Sequence, residues 1–332
     1  MIQIEHLNKQ FGAITAVEDV SFKVEEGQIC VLLGPSGCGK TTTLKMINRL
    51  IAPTSGSIRI GGKDTAEMDT VTLRRSIGYV IQQVGLFPNM TVEENICVVP
   101  DLLGWDKAKS RRRAAELLEV VALEPSHFLK RYPCELSGGQ QQRVGVARAL
   151  AADPPVMLMD EPFGAIDPIN RDVIQDEFMR IQRQVGKTVL FVSHDIDEAV
   201  KMADCVALFH AGRIEQFGSP DDLLARPKSE FVANFMGGDR IMKRLRLLRV
   251  ADIASKTPPR EHMQVVGGHS GVASGSPLVV APADDLRHVL SQLLGQGKDW
   301  AVCNDAEGRF LGYVHQADIL ARLVENTTPV GH

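Results

Sequence analysis

Aromatic residues are scarce. Phe, Trp and Tyr make up 5% of the chain, too few for the stacked rings on which single-stranded nucleic acids bind. There is no large charge of one sign either. The formal net charge is -4, so nothing draws the whole chain toward a polyanion, and no nucleic-acid partner is expected. No apolar run reaches the roughly 18 residues a membrane-spanning helix needs. The opening MIQIEHLNKQ lacks a basic end followed by an apolar core, so it does not read as a signal peptide. Cys30, Cys38, Cys97, Cys134, Cys205 and Cys303 form no C-x-x-C pair, and the 9 histidines are equally dispersed. That pattern offers no cysteine metal site and suits a reducing compartment. No tandem repeat is visible. What remains is an ordinary globular composition, 44% hydrophobic and 23% charged, in 332 residues. That length predicts two domains or three. A soluble, cytoplasmic protein is expected, with a membrane partner left open.

One stretch stands apart from that background. Gly34-Pro35-Ser36-Gly37-Cys38-Gly39-Lys40-Thr41 fits G-x-x-x-x-G-K-[ST], the loop that cradles nucleotide phosphates. The short apolar run Ile29–Leu33 before it predicts a buried parallel strand, and the segment Thr42–Leu50 after it is apolar at helical spacing. Loop amides and the free N–H groups of the helix start converge on phosphate oxygens. Glycine lets the backbone approach closely. Lys40 adds a point charge and Thr41 a hydroxyl for Mg2+.

Three later strand ends carry polar groups. Ile77–Gln83 predicts a strand ending in two glutamines. Val156–Met159 leads into Asp160-Glu161-Pro162, and Thr188–Val192 into Ser193-His194-Asp195. In open α/β sheets ligands sit beyond the carboxyl ends of strands. Asp160 is therefore placed to hold Mg2+, Glu161 to orient or activate a water, and His194 to contact a γ-phosphate. Leu136-Ser137-Gly138-Gly139-Gln140 precedes a helical pattern and makes a second glycine-rich helix start, able to hold an anion. Thr91-Val92-Glu93-Glu94 is a capping box that predicts a helix start. The basic run within 105–122, Lys107 to Arg113, is expected on a solvated helix face. Alternation over Ile2–Glu5 and Ala16–Val24 predicts an antiparallel sheet with one wet face, and Phe11 in the turn between these strands could stack on a purine.

In this order, over roughly residues 1–236, these stretches resemble the ABC transporter ATPase family. The resemblance implies an α/β fold: an ABC-type P-loop NTPase with a parallel core sheet, an antiparallel β subdomain and a helical subdomain at about 84–150. It implies ATP and Mg2+ as cofactors. Nucleotide would be bound by Phe11, the Walker A residues Gly34, Pro35, Ser36, Gly37, Cys38, Gly39, Lys40 and Thr41, the adjacent Thr42, and the signature residues Ser137, Gly138, Gly139 and Gln140. Metal would be held by Thr41, the Q-loop Gln82 and the Walker B Asp160. Glu161, His194 and Gln82 would be catalytic, with Gly164-Ala165-Ile166-Asp167 as the D-loop. The resemblance further implies two copies closing head to tail, each ATP lying between one copy's Walker A and the other copy's Ser137-Gly138-Gly139.

Within the family, Thr42–Leu50, Ile77–Gln83 and Asp239-Arg240 with its following basic helix resemble ATPases of importers for glycine betaine, choline or carnitine. These imply transmembrane permease subunits, a substrate-binding protein, and a place on the cytoplasmic face of the inner membrane. The alternatives are an importer for another small polar solute, such as an amino acid or other amine, and a non-transport ABC ATPase. Residues 237–276 are expected to form a linker, first a basic amphipathic helix over Arg240–Arg249 and then a Gly/Ser-rich stretch. That helix is expected to pack on its own domain; the alternative is that it meets an anionic leaflet, worth at most ~5 kcal/mol for its cations. Residues 277–325 resemble a single CBS module, a small α+β domain, and 326–332 form a tail.

Overall fold

The strand β3 (Ile29–Leu33) is buried at every position. It earns that burial by its place: β9 (Cys205–His210) and β8 (Thr188–Val192) flank it in parallel. A continuous apolar run is what a strand covered on both faces requires. The computed structural model describes residues 1–81, 85–164, 166, 168–257 and 277–324. Its first unit, Met1–Ser219, is built on a six-stranded sheet of order β10-β9-β3-β8-β7-β6. Here β6 is Ile77–Val80, β7 is Val156–Asp160 and β10 is Arg213–Gly218. All neighbours are parallel except the β9–β10 hairpin at one edge. The strand expected over Ile77–Gln83 ends at Val80, and Gln82 lies outside the described residues.

A second, antiparallel sheet has the order β2-β1-β4-β5. In it β1 (Ile2–Phe11) pairs with β2 (Ile14–Val24), Ile2 opposite Val24 and Ile4 opposite Phe22. The strand β4 (Ser55–Ile60) lies on the other side of β1, and β5 is Lys63–Asp64. The inward residues Ile2, Ile4, Leu7, Val20 and Val24 join one core cluster with Leu32, Leu44 and Leu190, so the two sheets share a core. The helix α1 (Lys40–Ile47) follows the phosphate loop, and α2 (Thr70–Arg75) precedes β6.

The helical part contains α3 (Val92–Leu102), α4 (Lys107–Val120), α5 (Pro125–Phe128) and α6 (Gly138–Leu150). The capping box read at Thr91 is present: Thr91 Oγ1 accepts from the Glu94 N–H, and Glu94 accepts from the Thr91 N–H at 2.7 Å. The basic run of α4 is solvated but partnered. Arg111 pairs with Glu93 at 2.9 Å, and Lys109 lies 3.9 Å from the centre of the Trp105 ring. The longest helix of this unit, α7 (Pro168–Val185), runs between β7 and β8, and α8 (Ile196–Met202) follows β8.

The second unit begins at Pro220, ahead of the boundary expected at 236. It takes in α9 (Pro220–Ala225) and α10 (Glu230–Met236). Here the reading of 237–276 as a linker is corrected in its first part. The helix α11 covers Arg240–Arg244 only. Leu245 and Val250 are fully buried in one cluster with Leu278, Leu286, Val314 and Ile319, and Ile241 and Leu248 pack against it. The helix stops because the next backbone groups pair elsewhere: Leu248 O accepts from the Leu286 N–H at 3.0 Å, and the Val250 N–H donates to Asp284 O at 3.0 Å. The cations of α11 meet partners within their own unit. Arg244 is buried against Asp221 at 2.6 Å, Lys243 reaches Asp239 at 2.8 Å, and Arg240 donates to Leu224 O at 2.6 Å. These three cations are engaged within the unit rather than offered to a leaflet. The remainder of the unit is a sheet of order β11-β12-β13, from Leu278–Val280, Trp300–Asn304 and Phe310–His315, with α12 (Leu286–Gln296) and α13 (Gln316–Val324). The β11–β12 pair is parallel and the β12–β13 pair antiparallel. The Gly/Ser-rich stretch and the tail lie outside the described residues.

Candidate active site

The phosphate-type loop leaves β3 through three glycines at positive φ, Gly34 at 143°, Gly37 at 79° and Gly39 at 105°. Two of them are also glycine for want of space. A Cβ on Gly34 would lie 2.3 Å from Phe209 O, and one on Gly39 2.5 Å from Ala16 O. The loop is thus pressed between β9 and β2, and α1 starts directly from Gly39. Inside it Lys40 is buried, and its ammonium donates to Gly34 O at 2.7 Å and Pro35 O at 2.8 Å. Cys38, also buried, has its sulfur 3.7 Å from that nitrogen, and burial pushes its thiol pKa up. Thr42 follows on the first turn of α1. Phe11 is half exposed at the tip of the β1–β2 hairpin, with Lys9 over its ring at 4.8 Å.

The carboxyl ends of β7 and β8 close on this loop. Thr41 Oγ1 donates to Asp160 Oδ1 at 2.9 Å. Burial raises the Asp160 carboxyl above its ordinary pKa, opposed by the Thr41 hydroxyl and by Lys45. The neighbouring Tyr79 phenol is pushed up to about 12 by burial and by the Asp160 charge. Glu161 turns away from the strand at φ 45°, a left-handed conformation that side-chain-bearing residues seldom adopt. Its N–H donates to Val192 O at 3.1 Å. So turned, its Oε2 lies 3.5 Å from His194 Nδ1. The two residues read separately from two strand ends therefore meet.

Ser137 through Gln140 do not join this group. Ser137 caps α6, with Gln140 closing a reciprocal box: the Ser137 N–H donates to Gln140 Oε1 at 3.0 Å. These residues line a cavity of about 620 Å³ together with Phe128, Arg143 and Ile174, and none of the residues 34–41 lines it. Of the D-loop residues, Ile166 lines the same cavity, while Ala165 and Asp167 lie outside the described residues.

The sequence reading missed what holds the His194 turn. Asp197 and Glu198 lie in the first turn of α8, where the helix dipole favours acids, and Asp195 precedes them. Asp195 does cap α8, accepting from the Asp197 N–H at 2.8 Å. Glu198, however, is buried, and accepts from Ser193 Oγ at 2.6 Å and from Gln175 Nε2 at 3.2 Å. The only trace in the sequence is a Ser-x-x-x-x-Glu spacing, which by itself carries no such meaning. Truncation of Glu198 to Ala leaves two donors without an acceptor and is expected to lower stability by about 1–3 kcal/mol, read from urea unfolding. Burial also raises the Glu198 pKa. A raised acid binds its proton more tightly when folded, so its share of stability is full below the ordinary Glu range and lost as pH rises through the raised value. Glu198→Gln should flatten that part of the stability–pH curve.

The ABC transporter family model matches residues 17–164. The osmoprotectant import ATP-binding protein OsmV of Salmonella typhimurium strain LT2 is 52% identical, over 95% of this chain and 94% of its own. The glycine betaine uptake system ATP-binding protein YehX of Escherichia coli K12 is 44% identical, over 96% of this chain and 99% of its own. Among solved structures, the dimeric ATP-binding cassette MJ0796, in a post-hydrolysis state bound to ADP and Pi, is similar with a TM-score of 0.59 at 34% identity, covering 66% of this chain and 98% of that one.

Proposed function

Since the chain belongs to the ABC transporter ATP-binding proteins, we propose that it is the ATP-hydrolysing subunit of an importer for osmoprotectants such as glycine betaine, choline or carnitine. The solute class comes from the relatives, whose printed names specify osmoprotectant import and glycine betaine uptake. Among the described residues no helix is long and apolar enough to cross a membrane. The chain would therefore meet the bilayer through transmembrane permease subunits, on the cytoplasmic face, with a substrate-binding protein delivering the solute.

The observation that carries the catalytic part is the convergence of Thr41, Asp160, Glu161 and His194 beside a loop in which Gly34 and Gly39 have no room for a side chain. The phosphates lie along the loop amides and the start of α1, where Lys40 exchanges its carbonyl partners for phosphate oxygens. The site also suits Mg2+: Thr41 and Asp160 present hard oxygen donors in hydrogen-bond contact. Bound there, the ion would neutralise charge on the phosphates. Glu161 orients the attacking water and draws its proton, and His194 holds the γ-phosphate side of the site. Phe11 offers its exposed ring to the adenine.

The separate Ser137 cavity gives the reading its second half. No residue of the phosphate loop lines that cavity, which suits a helix N-terminus that serves a second copy. We place each ATP between one copy's phosphate loop and the other copy's Ser137-Gly138-Gly139, where two helix starts face the same phosphates. Cysteines at Ser36 and Ser137 test this, in a Cys134→Ser background because Cys134 is the exposed native thiol. With ATP and the slow Glu161→Gln form, crosslinked dimer is expected. Links confined to single molecules at saturating ATP would overturn the arrangement. For the transport assignment, hydrolysis should rise when glycine betaine and its binding protein meet the chain in complex with its permease. A complex stimulated only by an unrelated solute would reassign it.

A further inference from the structure

One side chain of α7 joins the loop after β7 to the loop after β8. Arg171 Nη1 donates to Asp195 Oδ2 at 3.2 Å, and its Nη2 donates to Ile166 O at 3.1 Å. The Nε of the same guanidinium is buried with no hydrogen-bond partner, so those two ends hold the group. Each end leads to a different surface. Asp195 follows His194 directly and caps α8. Ile166 lines the Ser137–Gly139 cavity.

The rest of α7 has the same double attachment. Gln175, one turn beyond Arg171, donates to Glu198 at 3.2 Å, and Lys201 of α8 pairs with Asp172 and Asp176 at 3.0 and 2.9 Å. On its other side Ile174 lies against the glycine pair: a Cβ on Gly139 would come within 2.9 Å of Ile174 Cδ1. The helix is therefore wedged between the surface offered to the second copy's nucleotide and the turn that carries His194.

We propose that Arg171 is a positioning residue that couples the two nucleotide sites, making the seating of nucleotide at Ser137–Gly139 felt at Glu161 and His194 of the same chain. The inference rests on the two-copy reading above. Its physical basis is the planar, permanently charged fork of arginine, which fixes the distance between a carbonyl and a carboxylate in a way the single nitrogen of lysine cannot. A shift of Ile166 when nucleotide covers the cavity passes through that fork to Asp195, and with it to the neighbouring His194. Reciprocal coupling of this kind makes hydrolysis depend sigmoidally on ATP.

The test is steady-state hydrolysis by the full chain as wild type, Arg171→Lys and Asp195→Asn. Asparagine keeps the cap acceptor while removing the charge, so the second variant stands if the first folds poorly. Calorimetry reports whether each retains a native transition. Expected is a sigmoidal wild type and two hyperbolic variants. Their kcat should fall about tenfold, below the ~10²-fold cost of a badly misplaced catalytic group, with half-saturation near that of the wild type. A merely structural role would lower the melting temperature and leave the shape of the curve alone. Variants that keep both the sigmoid and the wild-type kcat overturn the coupling. So does a hyperbolic wild type whose Ser36–Ser137 crosslink forms normally, whereas failure of that crosslink overturns the two-copy reading instead.

Discussion

Glu161→Gln is expected to lower ATP turnover by at least ~10²-fold, the low end of what general-base removal costs, while ATP still binds. The replacement is isosteric, so the loop keeps its shape. On the proposed reading, what is lost is the capacity to take a proton from water beside His194, which lies 3.5 Å away. The backbone strengthens the argument. Glu161 sits at φ 45°, a conformation costing of order 1–3 kcal/mol and retained only where the surroundings impose it. That conformation brings the carboxylate to His194, which is the geometry the proposed role needs. Near-normal turnover in a stopped-flow phosphate-release assay would remove Glu161 from that role and leave Asp160 or His194 to supply it.

Gly34→Ala should cost on the order of 3 kcal/mol or more of stability, and much of the nucleotide affinity with it. Two separate penalties act on one methyl group. Gly34 lies at φ 143°, and its Cβ would meet Phe209 O at 2.3 Å. The obstacle is a central strand's backbone, which cannot swing aside as a side chain end could. Gly37 makes the internal control: its φ is 79° but its Cβ would meet nothing within 4 Å. Gly37→Ala should therefore carry the conformational cost alone. Thermal unfolding and ATP titration by calorimetry measure both variants. Equal effects at the two positions would show that crowding by β9 does not shape the loop.

The parts legible in the sequence were those where a local pattern maps onto one structural outcome. The run Ile29–Leu33 suits a strand covered on both faces, and G-x-x-x-x-G-K-T directly after it fixes the strand–loop–helix order. The Thr91 and Glu94 box, and the polar residues at the ends of β7 and β8, are likewise settled within a few neighbours. Distant pairings were not legible. Nothing near Glu198 announces that Gln175 will meet it, because Gln175 arrives from α7, 23 residues earlier in the chain. The basic segment from Arg240 misled for the same reason. Its periodicity is helical, but Leu248 and Val250 find backbone partners at 284–286, and long-range pairing overrides the local pattern. Its charges looked free because Asp221 and the Leu224 carbonyl are invisible from position 240. The separation of Ser137 from the phosphate loop was not derivable from spacing either; it depends on how α6 is carried on the helical part.

Cysteine burial has a practical corollary. Five of the thiols are buried and Cys134 is exposed, in the short turn Pro133–Glu135 that leads into Ser137. A maleimide fluorophore would therefore attach to the native polypeptide at one address, four positions ahead of the glycine pair. Its emission would change as a neighbouring molecule approaches or departs, giving a real-time optical readout of assembly without any engineered residue.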